Sequence, residues 1–512
     1  MEKILPAFPE SYWLDSVELP SFPVLNEDLE ADVVIVGGGI TGITLAFLLV
    51  QENIKPVILE AGRILNGTTG HTTAKLTVQH GLIYDELIKQ TDKDTARKFY
   101  EANDAALKLI KNIIQKRNID CDLSKEDAFI YTLQDESILK LEKEWEAYQE
   151  LGISGDLLNK LDLPFPVKRA LVMYDQAQFH PVKYLRALVE EILEKGGRIF
   201  ENTVASKIKG KEKAAVVLAN GQTVKGNFVI SCSGFPFHDG AYYFSRLYQE
   251  RSYIIACLTE KEFPGGMYIN AEKPARSMRA VPYKDEKLVL FIGNEHKTGQ
   301  GPDTLQHYEN LYHFANNTFG VKKIVYRWSA QDLTTLDKIP YIGYMSNTNR
   351  SVLVATGFRK WGMTSSMVAA MLLTDIVLNR ENDYETVFTP SRFHSGETVK
   401  EFLKTNLDVA KHLLQGKIEN PEKSLEGLKK REGRIVQLNG KRMGAYKNEQ
   451  GKIFIVDTTC THMGCELEWN NGERSWDCPC HGSRFGVTGE VLTGPAKKPL
   501  KQIIISDQKN DP

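Results

Sequence analysis

The sequence predicts an α/β chain with a second, antiparallel sheet, followed by a small all-β unit. Three observations carry this reading. A β-branched run, Ala31-Asp-Val-Val-Ile-Val36, leads into Gly37-Gly-Gly39-Ile-Thr-Gly42 and an apolar stretch to about Asn53, the order strand, tight turn, helix. Residues 240 to 330 alternate with a period of two and carry turn signals at Pro264-Gly-Gly and Asp285-Glu-Lys, as antiparallel strands do. From about residue 429 the text consists of short strand-like pieces around two Cys/His clusters.

Taken in order, residues 1 to 30 form an irregular lead-in with Pro6, Pro9, Pro20 and Pro23, and with Tyr12-Trp13 expected on the domain surface. After the glycine run and its helix, Pro56-Val-Ile-Leu-Glu60 reads as the second strand. Glycines at 37, 39 and 42 let the backbone approach a pyrophosphate at a helix N-terminus. Glu60, eighteen residues past Gly42 at the end of that second strand, is placed to take ribose hydroxyls. The pattern is a dinucleotide site, and by itself it does not separate NAD from FAD.

Residues 82 to 150 read as charged helices (Tyr84 to Gln90, Thr95 to Arg117, Glu136 to Leu151), with strand-like text from Val172 and a helix at Val182 to Glu194. Phe228-Val-Ile-Ser-Cys-Ser-Gly234 is a buried strand. Trp328-Ser-Ala-Gln-Asp-Leu and Ile339-Pro-Tyr-Ile-Gly343 precede Val352 to Met363 and an apolar helix through Leu378. This second strand–loop–helix has Gly357, Gly362 and Met363 at its turn. Residues 385 to 428 are a charged connector with a break at Asn420-Pro-Glu-Lys. Strands are expected at Lys452 to Asp457, Glu466 to Trp469 and Gln502 to Ser506. The expected division is a lead-in at 1–30 and a dinucleotide-binding unit at 31–400, with a second subdomain at about 172–190 and 240–330. A linker at 401–428 and a cluster domain at 429–512 follow.

With 64 basic and 66 acidic residues in 512, the chain has no nucleic-acid footprint. Seven cysteines are too few for a secreted disulfide framework, and Cys121, Cys232 and Cys257 read as buried structural thiols. Met1 to Pro9 lacks a signal-peptide pattern, and four glycines interrupt the most membrane-like run, Val33 to Val50. No membrane span and a cytoplasmic location are expected.

The two clusters are Cys460-Thr-His462-Met-Gly-Cys465 and, twelve residues on, Cys478-Pro-Cys480-His481-Gly-Ser483. A zinc ribbon is the plain alternative, but Cys-x-His is a poor tetrahedral clip beside the usual Cys-x-x-Cys. The pattern resembles the Rieske iron–sulfur domain in the form found in cytochrome bc complexes. The resemblance implies a [2Fe–2S] cluster with Cys460 and Cys478 on one iron and His462 and His481 on the other. It also implies a disulfide between Cys465 and Cys480, and a covering loop at Gly494-Pro-Ala. Ser483 matches the family's serine donor to a bridging sulfide, while Phe485 stands where a tyrosine donor would be.

The rest of the chain resembles the D-amino-acid-oxidase-like flavoproteins, which include glycine and sarcosine oxidases. That family implies an FAD-binding Rossmann-type domain of the glutathione-reductase kind with an antiparallel substrate sheet. Arg63 and the Gly/Thr-rich loop Asn66 to Lys75, with Thr68 and His71, resemble its second flavin-contacting loop; a polar surface loop is the plain alternative. Val204, after Gly196-Gly-Arg-Ile-Phe, falls where the family's backbone meets adenine, and Gly357, Gly362 and Met363 where it closes over the isoalloxazine. Gly67-Thr-Thr-x-His71-Thr further resembles the segment of dimethylglycine and sarcosine dehydrogenases that bonds flavin covalently, though the likeness stops at Ala74-Lys75.

A flavin takes two electrons as hydride equivalents and releases them singly, which is what a one-electron cluster requires, so FAD rather than NAD is the expected nucleotide. The expected activity is a dehydrogenase that oxidises a small organic substrate, an amine or amino acid, and hands electrons through the cluster to an external one-electron acceptor. The alternatives are a reductase or oxygenase in which the cluster feeds FAD, and a non-catalytic redox sensor. No catalytic residue is identified. Arg276, Arg279, Arg359 and Lys360 are candidates for a substrate carboxylate, each more often a surface charge.

Overall fold

The computed structural model describes residues 4–210, 213–238, 242–392, 397–415, 425–438 and 440–503. It divides into two compact units, one comprising residues 1–295 and 307–401, the other 296–306 and 402–512.

In the first unit the strand Leu29–Val36 lies at the centre of an eight-stranded sheet among the described residues. Pro56–Leu59 and then Arg198–Phe200 run parallel on one side of it, Thr223–Ser231 and Asn349–Thr356 parallel on the other. Consecutive elements thus leave the central strand in opposite directions, and the crevice at its C-terminal end is where open α/β sheets bind ligands. The helix Ile40–Gln51 is apolar almost throughout because it is covered on most sides.

The second sheet has nine strands among the described residues: eight ordered from Val321–Thr335 through Leu247–Thr259, Glu286–Lys297, Arg276–Tyr283, Met267–Asn270, Ser124–Thr132 and Arg169–Gln178 to Lys75–Leu76, and Gly155–Leu158 paired with Arg169–Gln178 off that path. Two of these depart from the sequence expectation. Ser124–Thr132 is a strand inside the stretch read as helical, because Lys125-Glu126-Asp127 fill its half-exposed end and hide the alternation. Lys75–Leu76, read as the end of a loop, pairs with Gln178 and Ala177. The lead-in also differs. Ser11 caps a short helix, Tyr12–Asp15, and Trp13 is 1 % exposed, its indole N–H donating to the Thr72 carbonyl at 2.7 Å. Tyr12 and Trp13 are therefore core, not surface.

The second unit holds two small antiparallel sheets. One contains Gly433–Leu438, Lys441–Lys447 and Ile453–Asp457; the other contains Glu468–Asn470, Ser475–Asp477, Arg484–Phe485 and Val491–Thr493. Its core is built on two indoles, Trp469 and Trp476, with ring centres 4.6 Å apart. They lie so close to the first sheet that a Cβ at Gly433 or Gly444 would come within 2.4 or 2.7 Å of an indole carbon. Gln502 bridges Val456, while residues 504–506 of the expected last strand and the break at Asn420-Pro-Glu-Lys lie outside the described residues. No helix among the described residues is long and apolar enough to cross a membrane.

Candidate functional site

The glycine turn follows the central strand. Gly37 has φ +114°, and a Cβ there would lie 2.5 Å from the Cys232 carbonyl oxygen. A Cβ at Gly42 would lie 2.0 Å from the Gly37 carbonyl oxygen, so helix and turn close on each other only with hydrogen at both positions. Gly39 is different: it is the extended N-cap of the helix, with no side-chain cap, and a Cβ there would meet only the Thr69 hydroxyl at 3.2 Å. Two glycines serve packing; beside the middle one the Thr69 hydroxyl accepts from Ile40 N–H, the first of the helix, at 2.9 Å.

Glu60 accepts from the Gly38 and Gly62 N–H groups at 2.8 Å each, so its carboxylate ties the turn to the second strand. Burial pushes that carboxyl up, against the pull of the Gly62 and Gly38 hydrogen bonds. Arg63 donates to the Leu19 and Pro20 carbonyls and lies 3.7 Å from Glu201, which ties it to the lead-in. The Val204 carbonyl accepts from Ala219 N–H at 2.9 Å. Thr68 and His71 begin and end a 3-10 turn. The Thr68 hydroxyl donates to the Gln331 carbonyl at 2.8 Å, and His71 Nδ1 lies 2.9 Å from the Gly67 carbonyl.

The second strand–loop–helix carries a concentration of unusual backbone. Gly357 has φ +80°, and Arg359 and Lys360, neither of them glycine, have φ +50° and +66° in succession. Left-handed non-glycine residues cost about 1–3 kcal/mol each and collect at ligand clamps. Gly362 opens the helix Gly362–Val377 and Met363 is buried behind it. Lys360 Nζ pairs with Glu295 at 2.5 Å and Glu250 at 3.3 Å, and its N–H donates to Asp332, whose carboxyl burial pushes up to about 6. Arg359 donates to the His80 carbonyl at 2.7 Å, and the His80 ring stacks on Trp361 with centres 5.1 Å apart.

The cations on the substrate sheet are not surface charges. Arg279 is 0 % exposed, donates to Gln178 Oε1 at 2.8 Å and lies 5.3 Å over the Trp13 ring. Arg276 is half-buried, its N–H donating to Asn270 Oδ1 at 2.5 Å. Sequence reasoning missed Lys75, whose buried ammonium donates to the Tyr268 carbonyl at 3.1 Å. Burial, then the Arg279 charge, pushes it down to about 7.

The two cluster loops repeat one turn geometry. Cys460 N–H donates to the Cys465 carbonyl (2.8 Å) and Gly464 N–H to the Cys460 carbonyl (2.9 Å). In the second loop Cys478 N–H donates to the Ser483 carbonyl (2.8 Å) and Gly482 N–H to the Cys478 carbonyl (3.0 Å). Gly464 and Gly482, both left-handed at φ +78° and +73°, make the corresponding corners. Each turn folds its N–H groups back onto its own cysteine: those of His462 and Met463 reach Cys460, those of His481 and Cys480 reach Cys478.

The Cys460 and Cys478 thiols are within hydrogen-bonding reach of each other. That bond and the surrounding donors pull Cys460 down to about 7, while Cys478 is held up as the protonated partner. The rings of His462 and His481 meet edge-on, centres 5.0 Å apart. Burial and the neighbouring His462 push His481 down to about 4, which keeps it a neutral imidazole, the ligating form. Cys465 and Cys480 are joined by a disulfide. The sulfurs of Cys465, Cys478 and Cys480 lie within 4.8 Å of one another, but the disulfide occupies two of the three, so this trio is no metal site. Ser483 is fully buried; its oxygen accepts from Ala496 N–H at 3.0 Å in the Gly494-Pro-Ala loop, and its hydroxyl donates to Cys460. Phe485 is buried core.

A parallel nucleotide sheet, a separate substrate sheet and two thiol–imidazole loops define a flavoprotein joined to an iron–sulfur domain. The model of the FAD dependent oxidoreductase family matches residues 32–376, and that of the Rieske [2Fe-2S] domain matches residues 421–504. The chain belongs to the FAD-dependent oxidoreductase family and carries a C-terminal Rieske domain. It is 52 % identical to the Bacillus subtilis (strain 168) protein YhfW, described as a Rieske 2Fe-2S iron-sulfur protein, over 97 % of each chain. It is 25 % identical to gamma-glutamylputrescine oxidoreductase of Escherichia coli (strain K12) over 70 % of this chain and 85 % of that one. Glycine oxidase from Geobacillus kaustophilus shares the fold of the larger part, with a TM-score of 0.60 at 18 % identity, covering 71 % of this chain and 99 % of that one.

Its cofactors are accordingly FAD and a [2Fe–2S] cluster. The residues present fit both: a helix start behind Gly37 and Gly42, which admit no Cβ, and two buried thiols within reach of each other beside two closely set imidazoles.

Proposed function

We propose that this chain is a dehydrogenase that oxidises a small amine or amino acid and delivers the electrons one at a time to an external acceptor. The observation that carries it is the presence in one chain of a substrate-sheet flavoprotein and a cluster site with two imidazole ligands. When bound, FAD accepts the substrate's electron pair and the cluster passes electrons on singly. Cys460 and Cys478 hold one iron, His462 and His481 the other. Gly37, Gly39, Gly42 and Glu60 shape the pyrophosphate and ribose end of the nucleotide site. Arg63, Thr68, His71, Val204, Gly357, Gly362 and Met363 line its remainder.

The names of the relatives support an amine or amino-acid substrate. Neutral imidazoles lift a Rieske centre into the range of roughly −150 to +300 mV, and Ser483 donating to Cys460 stabilises the more negative reduced form. Both favour electrons leaving the flavin. Anaerobic titration with amines, amino acids and hydroxy acids, following flavin and cluster absorbance separately, tests the reading. Bleaching of the flavin first and the cluster second is expected. Reduced cluster passing electrons rapidly to oxidised flavin, with no organic substrate bleaching it, would make the chain a reductase.

A further inference from the structure

Residues 296–306 stand in sequence between the substrate-sheet strand Glu286–Lys297 and the helix Leu305–Phe319, yet they pack as part of the cluster-bearing unit. Within that unit the segment is fixed at its far end by Thr304, whose hydroxyl accepts from Gly472 N–H at 2.7 Å, and by Asp303, which accepts from Asn471 at 3.3 Å. Its middle lies on the second cluster loop. A Cβ at Gly299 would come 2.7 Å from Pro479 N and 2.9 Å from the Cys478 carbonyl carbon, and Gly299 is left-handed at φ +73°. Gln300 Nε2 donates to the Pro479 carbonyl at 3.2 Å and to Asp408 Oδ2 at 3.1 Å, and Lys297 Nζ pairs with the same oxygen at 2.9 Å. Asp408 lies on the helix Glu397–Gln415, whose Val409 carbonyl is 3.9 Å from Cys480 Sγ.

The dipeptide gripped in this way, Pro479-Cys480, lies between the ligand Cys478 and the ligand His481. The grip of Gln300 comes from a stretch of chain 179 residues upstream of Pro479 and outside residues 421–504, which match the Rieske model. We infer that residues 296–306 form a strap that positions the second cluster loop, with Gln300 as a positioning residue that also tunes the cluster's reduction potential. The inference rests on the ligand assignment above. The physical reason is that the Gln300 carboxamide turns its positive N–H end toward the loop, where it favours the more negative reduced cluster. Gly299 fixes how near the amide comes, since any side chain there would collide with the loop backbone.

The test is redox potentiometry and electron paramagnetic resonance of the full-length holoprotein, as wild type, Gln300→Leu and Gln300→Glu. At a fixed poise the reduced-to-oxidised ratio should fall about threefold in Gln300→Leu, which is about 30 mV at 59 mV per tenfold for one electron. It should fall about tenfold in Gln300→Glu, where a carboxylate replaces the amide, with shifted g-values and unchanged flavin content in both. Loss of the cluster from both variants with flavin retained also supports the strap. Potentials and g-values equal to wild type in both would overturn it. A wild-type protein without a Rieske signal would instead sink the ligand assignment itself, so the two failures are told apart.

Discussion

At the glycine turn, the fold depends on side chains that are not there: Gly37 and Gly42 close the turn because no Cβ intervenes, and Gly39 adds none at the helix start. In the cluster loops the relation is reversed. The backbone N–H groups turn inward onto Cys460 and Cys478, the two thiols are within hydrogen-bonding reach of each other, and the two imidazoles meet edge-on. One site is specified by shape and the other by donor chemistry. They should therefore fail in different ways when changed, the first by added volume of any kind, the second by loss of particular atoms.

The largest effect is expected from His481→Ala, which removes one of the four proposed iron ligands. The Rieske resonance should vanish entirely while flavin content stays within about a tenth of wild type; an unchanged cluster would break the comparison. Gly42→Ala adds one methyl group 2.0 Å from the Gly37 carbonyl oxygen. Overpacking against backbone costs about 1–3 kcal/mol, so bound FAD should fall by roughly tenfold with the cluster intact. The flavin-to-protein absorbance ratio measures this.

Ser483→Ala sharpens the chemical side. It deletes one hydrogen bond to Cys460 without touching a ligand. A bond to a charged acceptor is worth about 1.5 kcal/mol, so the cluster should become about tenfold harder to reduce at a fixed poise. Stopped-flow reduction of the flavin by substrate should not change, while turnover with an external acceptor slows.

The smallest effect on the cofactors is expected at Lys75, whose ammonium bonds the Tyr268 carbonyl and the Ser277 hydroxyl on the substrate sheet. Its folded-state pKa is pushed below the ordinary 10.5, to about 7, so between those values the unfolded chain binds more protons. Stability must then rise as pH rises across that window. From pH 7 to pH 9 the wild type should gain about 2 kcal/mol in denaturant unfolding and Lys75→Met should gain none. Flavin content and cluster signal should match wild type at both pH values.

Much of this was legible in the residues. The strand, the spaced glycines and Glu60 announced the nucleotide fold because that turn tolerates so few alternatives. The six cluster residues announced the loops because the chemistry dictates residue type. What could not be read has physical causes. Ser124–Thr132 hides as a strand because its solvent-facing half is charged, and Lys75 looks like loop because a two-residue strand has no periodicity. Arg279 looks like a surface charge because nothing local says that Trp13, far away in sequence, will cover it. Segment 296–306 follows a substrate-sheet strand without interruption, and its membership of the other unit depends on contacts made more than a hundred residues later.

That last feature bears on how the molecule is made. The chain changes unit at 295/296, at 306/307 and again at 401/402. During synthesis the strap emerges well before the loops it grips, so the cluster-bearing unit completes itself only after nearly the whole polypeptide is available. Such non-local closure is slow compared with the folding of neighbouring elements. A fragment cut at residue 402 would lack a piece of its own fold.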